Sequence, residues 1–171
     1  IVVGCDGSDD AIQSIGQGEL KATSLQPVAE MAQQAAIQAD YFIKNGKAEK
    51  PEKQSIDMVL ITPENYCQYK TFAPTGSTDK CAAPAGAAPA APAAAAGGMI
   101  CVIVPPVENP FFGAMQEIAA KKAEELGYTT LKLNHGDDAN KQMELVESCI
   151  SQKAKAIILD NAGADATVAA V

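Results

Sequence analysis

The sequence predicts an α/β fold, a parallel sheet flanked by helices, and three observations carry that expectation. Short apolar runs alternate with longer runs of helical periodicity, in the order strand, helix, strand, helix, strand, helix over residues 99–171. The run MICVIV (99–104) is apolar without interruption, as in strands buried on both faces of a parallel sheet. Caps and breakers bound the helical runs, among them Pro110, Gly127, Asp137 and Asp138. This order spells right-handed βαβ crossovers.

In the first half, IVV (1–3) reads as a buried strand already running where the sequence opens. DDAIQSIGQG follows as a short amphipathic helix, capped by Ser8 or Asp9 and ended by Gly16 and Gly18. ELKATSLQ alternates as a strand, and Pro27 takes a first helical position before VAEMAQQAAIQADYFIKNG. There Val28, Met31, Ala32, Ala35, Ala39, Phe42 and Ile43 recur at helical spacing, and Gly46 closes the run. SIDMVLI (55–61) is the last strand of this half.

In the second half, Pro105 and Pro106 stop the strand 99–104. NPFFGAMQEIAAKKAEELG is a helix with Pro110 at its first position, and Phe112, Met115, Ile118, Ala119, Ala123 and Leu126 share its apolar face. TTLKLN is a strand, DDANKQMELVESCISQ a helix capped by Asp137 or Asp138, and AKAIILD (154–160) a third strand. NAGADATVAAV then starts a further helix.

Between the halves lies CAAPAGAAPAAPAAAAGG (81–98), an Ala/Pro/Gly run of tether composition, expected to be mobile. Patterned sequence at both ends and a loose middle invert ordinary domain anatomy. The segments are 1–74, a linker at 75–98, and 99–171.

Composition narrows the function. The net charge is -8, all basic residues are Lys, and each half holds six Lys against ten Asp plus Glu, so no basic face exists for tracking a nucleic-acid backbone. The five cysteines form no CxxC and lie beside no His, so neither a metal site nor a cofactor site is legible. They read as buried single thiols; a disulfide stays open, since connectivity does not follow from sequence. No run is long enough to span a membrane, and residues 1–20 do not read as a signal peptide. One His without a second base or nucleophile, no GxGxxG after a strand and no P-loop argue against an enzyme.

The segment VIVPPVENPFFGAMQEIAAKKAEELGYTTLKLN, continued by NHGDDANKQMELVESCISQKAKAIILDNAGADA, resembles the beginning of the ribose-type periplasmic sugar-binding proteins, the solute receptors of ABC importers. VVGCDGSDDAIQSIGQGELKATSLQPVAEMAQQAAIQAD resembles the end of the same family. The family's end thus comes first, which implies a periplasmic-binding-protein type I lobe in permuted order. Residues 1–74 would supply the end of the second lobe, a hinge crossing and part of the first lobe. Residues 99–171 would supply the first lobe, the two segments packing together across the spacer. About 18 residues of such chain reach about 50 Å, ample to join two termini of one domain.

A Cys followed by small residues and this tether also resembles the start of a mature bacterial lipoprotein. The resemblance therefore implies a periplasmic or cell-surface lipoprotein location, although the polar TGSTDK before Cys81 is no lipobox. Most of the family's second lobe has no counterpart here. A permuted fragment, a half that pairs with a complementary fragment or second copy, and a sequence lacking its middle section all fit. The resemblance implies non-catalytic binding of a sugar or polyol and, in complete form, an importer permease as partner. The alternative is an engineered or partial half-receptor without ligand binding of its own.

Ligands of parallel α/β sheets sit beyond the carboxyl ends of the strands. That rule selects Glu108, Asn109, Phe111, Phe112, Asn134, His135, Asp137, Asp160, Asn161, Cys5, Asp6 and Gln26. Vicinal hydroxyls need paired donors and acceptors, and sugar C–H faces need an apolar plate. The resemblance implies sugar contact at Asn109, Phe111 or Phe112, Asn161, Asp6 and Gln26. Structural readings compete: a helix cap for Asn109, core for Phe112 by helical phase, an Asx turn for Asp6 and a hinge amide for Gln26. Asp160 reads as structural and His135 as a surface loop residue. Cys5 stands where the resemblance implies an aromatic plate, favouring a small or flexible polyol.

Overall fold

The computed structural model describes residues 1–51, 53–75, 97–163 and Val168. The tether and the helix expected from NAGADATVAAV lie, all but a few residues, outside them. The chain divides into two compact units, formed by the described parts of Ile1–Met31 with Ser55–Pro89 and of Ala32–Gln54 with Ala90–Val171.

In the first unit, β1 (Val3–Asp6) and β2 (Ala22–Leu25) pair in parallel, and β3 (Val59–Ile61) joins β2 antiparallel, in the order β1-β2-β3. Helix α1 (Asp9–Gly16) links β1 to β2. Ser8 caps it, its hydroxyl accepting the Ala11 N–H at 3.3 Å, and Asp9 and Asp10 place negative charge on its first turn. Its apolar positions Ile12 and Ile15 are buried, as are Leu25 and Ile61.

Past β3, a 3-10 turn (Tyr66–Gln68) leads into a hairpin of β4 (Tyr69–Lys70) and β5 (Ala73–Pro74). Thr71 and Phe72 turn that hairpin with φ of 50° and 59°, and the Asp9 carboxylate holds the turn by accepting the Thr71 N–H at 2.5 Å.

Three expectations are corrected here. Residues 1–3 are not a buried strand: the strand starts at Val3 on the sheet's edge, and Ile1, Val2 and Val3 are all exposed. The sheet of this unit is mixed, because the short β3 returns antiparallel to β2. The segment 66–74, where sequence patterning predicts no element, holds a turn and hairpin.

Helix α2 (Val28–Asn45) starts in the first unit and continues into the second, the division falling after Met31. The second unit is built on β6 (Met99–Val104), paired in parallel with β7 (Thr129–Asn134) on one side and β8 (Ala156–Leu159) on the other. Helix α3 (Pro110–Glu125) connects β6 to β7, and α4 (Ala139–Ser151) connects β7 to β8.

The alternation of β6 decides the packing. Ile100, Val102 and Val104 face the alanines of α2 (Ala32, Ala36) and α3 (Ala119, Ala120, Ala123), whose small side chains let the helices approach closely. Cys101 and Ile103 face Val146 and Cys149 of α4. All five β6 residues from Ile100 on are at most 1% exposed, and burying each aliphatic one contributes about 2 kcal/mol before entropy is subtracted. The central strand is therefore the core, as its unbroken apolar run predicts.

Two features tie that core down. Cys101 and Cys149 are joined by a disulfide, which corrects the reading of buried single thiols; Cys5 is free and exposed. Tyr128, 4% exposed, donates its hydroxyl to Asp40 of α2 at 2.8 Å. Burial, with that bond to a carboxylate, pushes the phenol up to about 12.

Candidate functional site

The carboxyl ends of the parallel strands carry the candidate residues in two sets, one in each unit. In the first, Asp6 ends β1 beside Leu25 of β2, and Gln26 follows directly. The Gln26 amide donates to an Asp6 carboxylate oxygen, and both side chains are half-buried. Asp6 and Gly7 both take left-handed backbone, φ 72° and 69°, which turns the chain sharply off the sheet into the cap of α1. The pair leaves a carboxylate oxygen and an amide carbonyl as acceptors and one amide N–H as donor. Cys5, exposed, lies in register with Ser24.

In the second unit, Asn109 is the N-cap of α3, its Oδ1 accepting the Phe111 N–H at 3.0 Å. The cap does not exclude a ligand role. With Oδ1 engaged, the exposed residue keeps its NH2 group, so it offers donors. Phe111 and Phe112 meet edge to face, with ring centroids 5.4 Å apart and planes at 86°. Phe112 packs on the core cluster of Val102, Val104, Ala119 and Ala120, as helical phase predicts. Asn161 is exposed in the segment that leaves β8, at the same carboxyl edge as Asn109 because β6 and β8 are neighbours.

His135 does not sit on the surface: it is fully buried, the ring bonded at both nitrogens. It extends the β6–β7 ladder, its N–H donating to Val104 O at 3.1 Å, and its ring reaches the Asp160 backbone carbonyl. Burial raises the Asp160 carboxyl from its ordinary value, offset in part by the neighbouring His135 and by a hydrogen bond from the Asn161 backbone N–H. Asp160 is thus part of the scaffold.

Two buried glutamines escape sequence reading. Gln116 of α3 donates to Leu133 O at 2.7 Å and Val102 O at 3.3 Å, and Gln142 of α4 accepts the Ala162 N–H at 2.6 Å. A signal exists for both: Gln142 precedes Val146 and Cys149 by four and seven residues, and Gln116 precedes Ala119, Ala120 and Ala123 by three, four and seven. A long polar side chain in an apolar stripe needs a backbone partner.

The first set offers acceptors and an amide donor and the second offers amide donors and aromatic surface, each with the chemistry for hydrogen-bonding hydroxyls. Among the described residues, no group of three or more His, Cys, Asp or Glu is placed to hold a metal ion. No helix there is long and apolar enough to cross a membrane.

Residues 100–171 match the family model described as periplasmic binding protein domain. A D-apiose import binding protein of Actinobacillus succinogenes is 60% identical over 74 residues, 43% of this chain and 24% of that protein. A D-apiose import binding protein of Paraburkholderia graminis is 51% identical over 76 residues, 44% of this chain and 24% of that protein. The chain spans about a quarter of the length of these curated relatives. Of the residues for which the resemblance implies sugar contact, Asn109, Phe111, Phe112 and Asn161 fall within the matched segment.

Proposed function

From the premise that residues 100–171 are periplasmic binding protein sequence, we propose that this protein binds a small sugar, as part of a receptor that hands it to a membrane importer. One observation carries the reading: within the matched segment, Asn109 and Asn161 each follow the carboxyl end of one of two neighbouring parallel strands, β6 and β8, and an edge-to-face Phe pair follows Asn109 in the sequence. In the second unit Asn109 and Asn161 supply donors for sugar hydroxyls and Phe111 an apolar plate for a C–H face; in the first unit Asp6 supplies an acceptor and Gln26 either. D-apiose, named for the two relatives, is the first ligand to test, ahead of other pentoses, hexoses and tetritols. No step calls for catalysis; binding closes a receptor and the closed form is what an importer reads. The periplasm is the location this implies, and a buried disulfide suits its oxidising conditions. Saturable heat on titrating sugar into the chain supports the reading, and the half-receptor alternative predicts none.

We read the segment order as a circular permutation, with 1–74 the family's end, 75–98 the join and 99–171 its beginning. Its support is the pair of family-like segments in exchanged order and the spacer between them. Protease nicking within 75–98 should then leave two fragments that stay together in native mass spectrometry. Fragments that separate freely would contradict it.

A further inference from the structure

The sheet order β7-β6-β8 keeps β7 and β8 apart, yet one side chain joins their exits over the end of β6. The Asp137 N–H donates to His135 Nδ1 at 3.1 Å, so the ring proton sits on Nε2 and is donated to Asp160 O at 2.8 Å. That bond to Nδ1 also holds the turn Gly136–Asp137, both in left-handed backbone with φ of 62° and 59°. Across the same segment, Gln142 accepts the Ala162 N–H, while its own amide nitrogen, buried, has no partner among the described residues. Asn161 lies between these two anchors: the carbonyl before it and the N–H after it are both held by fully buried side chains.

We infer that His135 and Gln142 are positioning residues: they clamp the backbone on either side of Asn161 and present its amide to the sugar. The inference rests on the reading of Asn161 as a sugar contact, and it deepens that reading. A side chain left on an exposed, unanchored segment would have to be ordered on binding, at a cost in affinity. The clamp removes that cost by fixing the segment in the free protein.

The two ring nitrogens make the test specific. Glutamine at 135 places an amide N–H where Nε2 stands and keeps the bond to Asp160 O, whereas asparagine places an acceptor where Nδ1 stands and keeps only the bond to the Asp137 N–H. His135→Asn is expected to speed amide exchange at Asn161 and Ala162 about tenfold in the ligand-free chain and to weaken D-apiose binding by a similar factor. His135→Gln should restore both. Gln142→Met supplies a variant that also removes an unpaired buried amide nitrogen. It should speed Ala162 exchange about tenfold with little change in melting temperature.

Equal exchange and affinity in His135→Asn and His135→Gln, with wild-type binding intact, would overturn the clamp alone. A wild-type chain that binds neither D-apiose nor any other pentose, hexose or tetritol would overturn the sugar reading and this presentation role together. Exchange is read without ligand, so the two failures are told apart.

Discussion

Replacing Cys101 and Cys149 together with alanine is expected to destabilise the second unit by about 4 kcal/mol. The bridge spans 48 residues and closes β6, α3, β7 and most of α4 into one loop. Cross-linking a loop of that size removes denatured-chain entropy of about this magnitude. Both cysteines are fully buried between the central strand and α4, so reductant reaches them only after the unit opens. Amide exchange at β6 is the suitable probe, since a chain of two units need not melt in one step. Protection of residues 101–104 should fall about a thousandfold in the double variant relative to the oxidised protein. Unchanged protection would mean that burial of β6 alone holds the unit together.

Gly7→Ala is expected to cost about 3 kcal/mol in the first unit and to disrupt the Asp6–Gln26 pair. The residue has φ +69°, and an added Cβ would stand 2.6 Å from Leu25 Cδ1 and 2.8 Å from Leu25 Cα. The second contact is backbone, which rotamer change cannot relieve. Leu25 is 1% exposed, so the strand has nowhere to retreat. Left-handed strain contributes about 1–2 kcal/mol and the collision a similar amount. Gly18→Ala is the matched control, because Gly18 also has positive φ, +80°, but open space around it. It should lose only the backbone share, about 1 kcal/mol. Thermal or urea melts separate the two, and equal losses would show that Leu25 yields.

The second unit was legible because its signals are local and agree. Val102 and its neighbours form an unbroken apolar run, Pro110 and Asn109 mark a helix start, and Asp138 does cap α4, through the N–H groups of Asn140 and Lys141. The first unit was less legible. Val3 carries a strand-like apolar signature yet is 66% exposed, because burial is set by what covers a strand. The turn at Thr71 and Phe72 uses positive φ without glycine, so no turn residue announces it; it depends on Asp9, 62 residues away.

The site divides the same way. Asp6, Gln26, Asn109 and Asn161 are selected as candidates by the rule that ligands lie beyond strand ends, which needs only strand boundaries. The burial of His135 is not legible in that way, because its partner Asp160 meets it across a strand that lies between. The disulfide was hidden for a related reason: Cys101 and Cys149 each look like ordinary apolar-face residues until α4 is laid on β6. Contacts that depend on which helix covers which face are written in tertiary register, not in local pattern.

Isothermal titration of D-apiose into the chain, with Asn161→Ala alongside, tests the central claim most directly. Saturable heat with one site is expected for the unaltered chain, and affinity weakened about tenfold in the variant, the loss expected for one hydrogen-bonded amide. No heat with D-apiose or with any other pentose, hexose or tetritol would contradict it, as would an Asn161→Ala variant that binds as tightly as the natural chain.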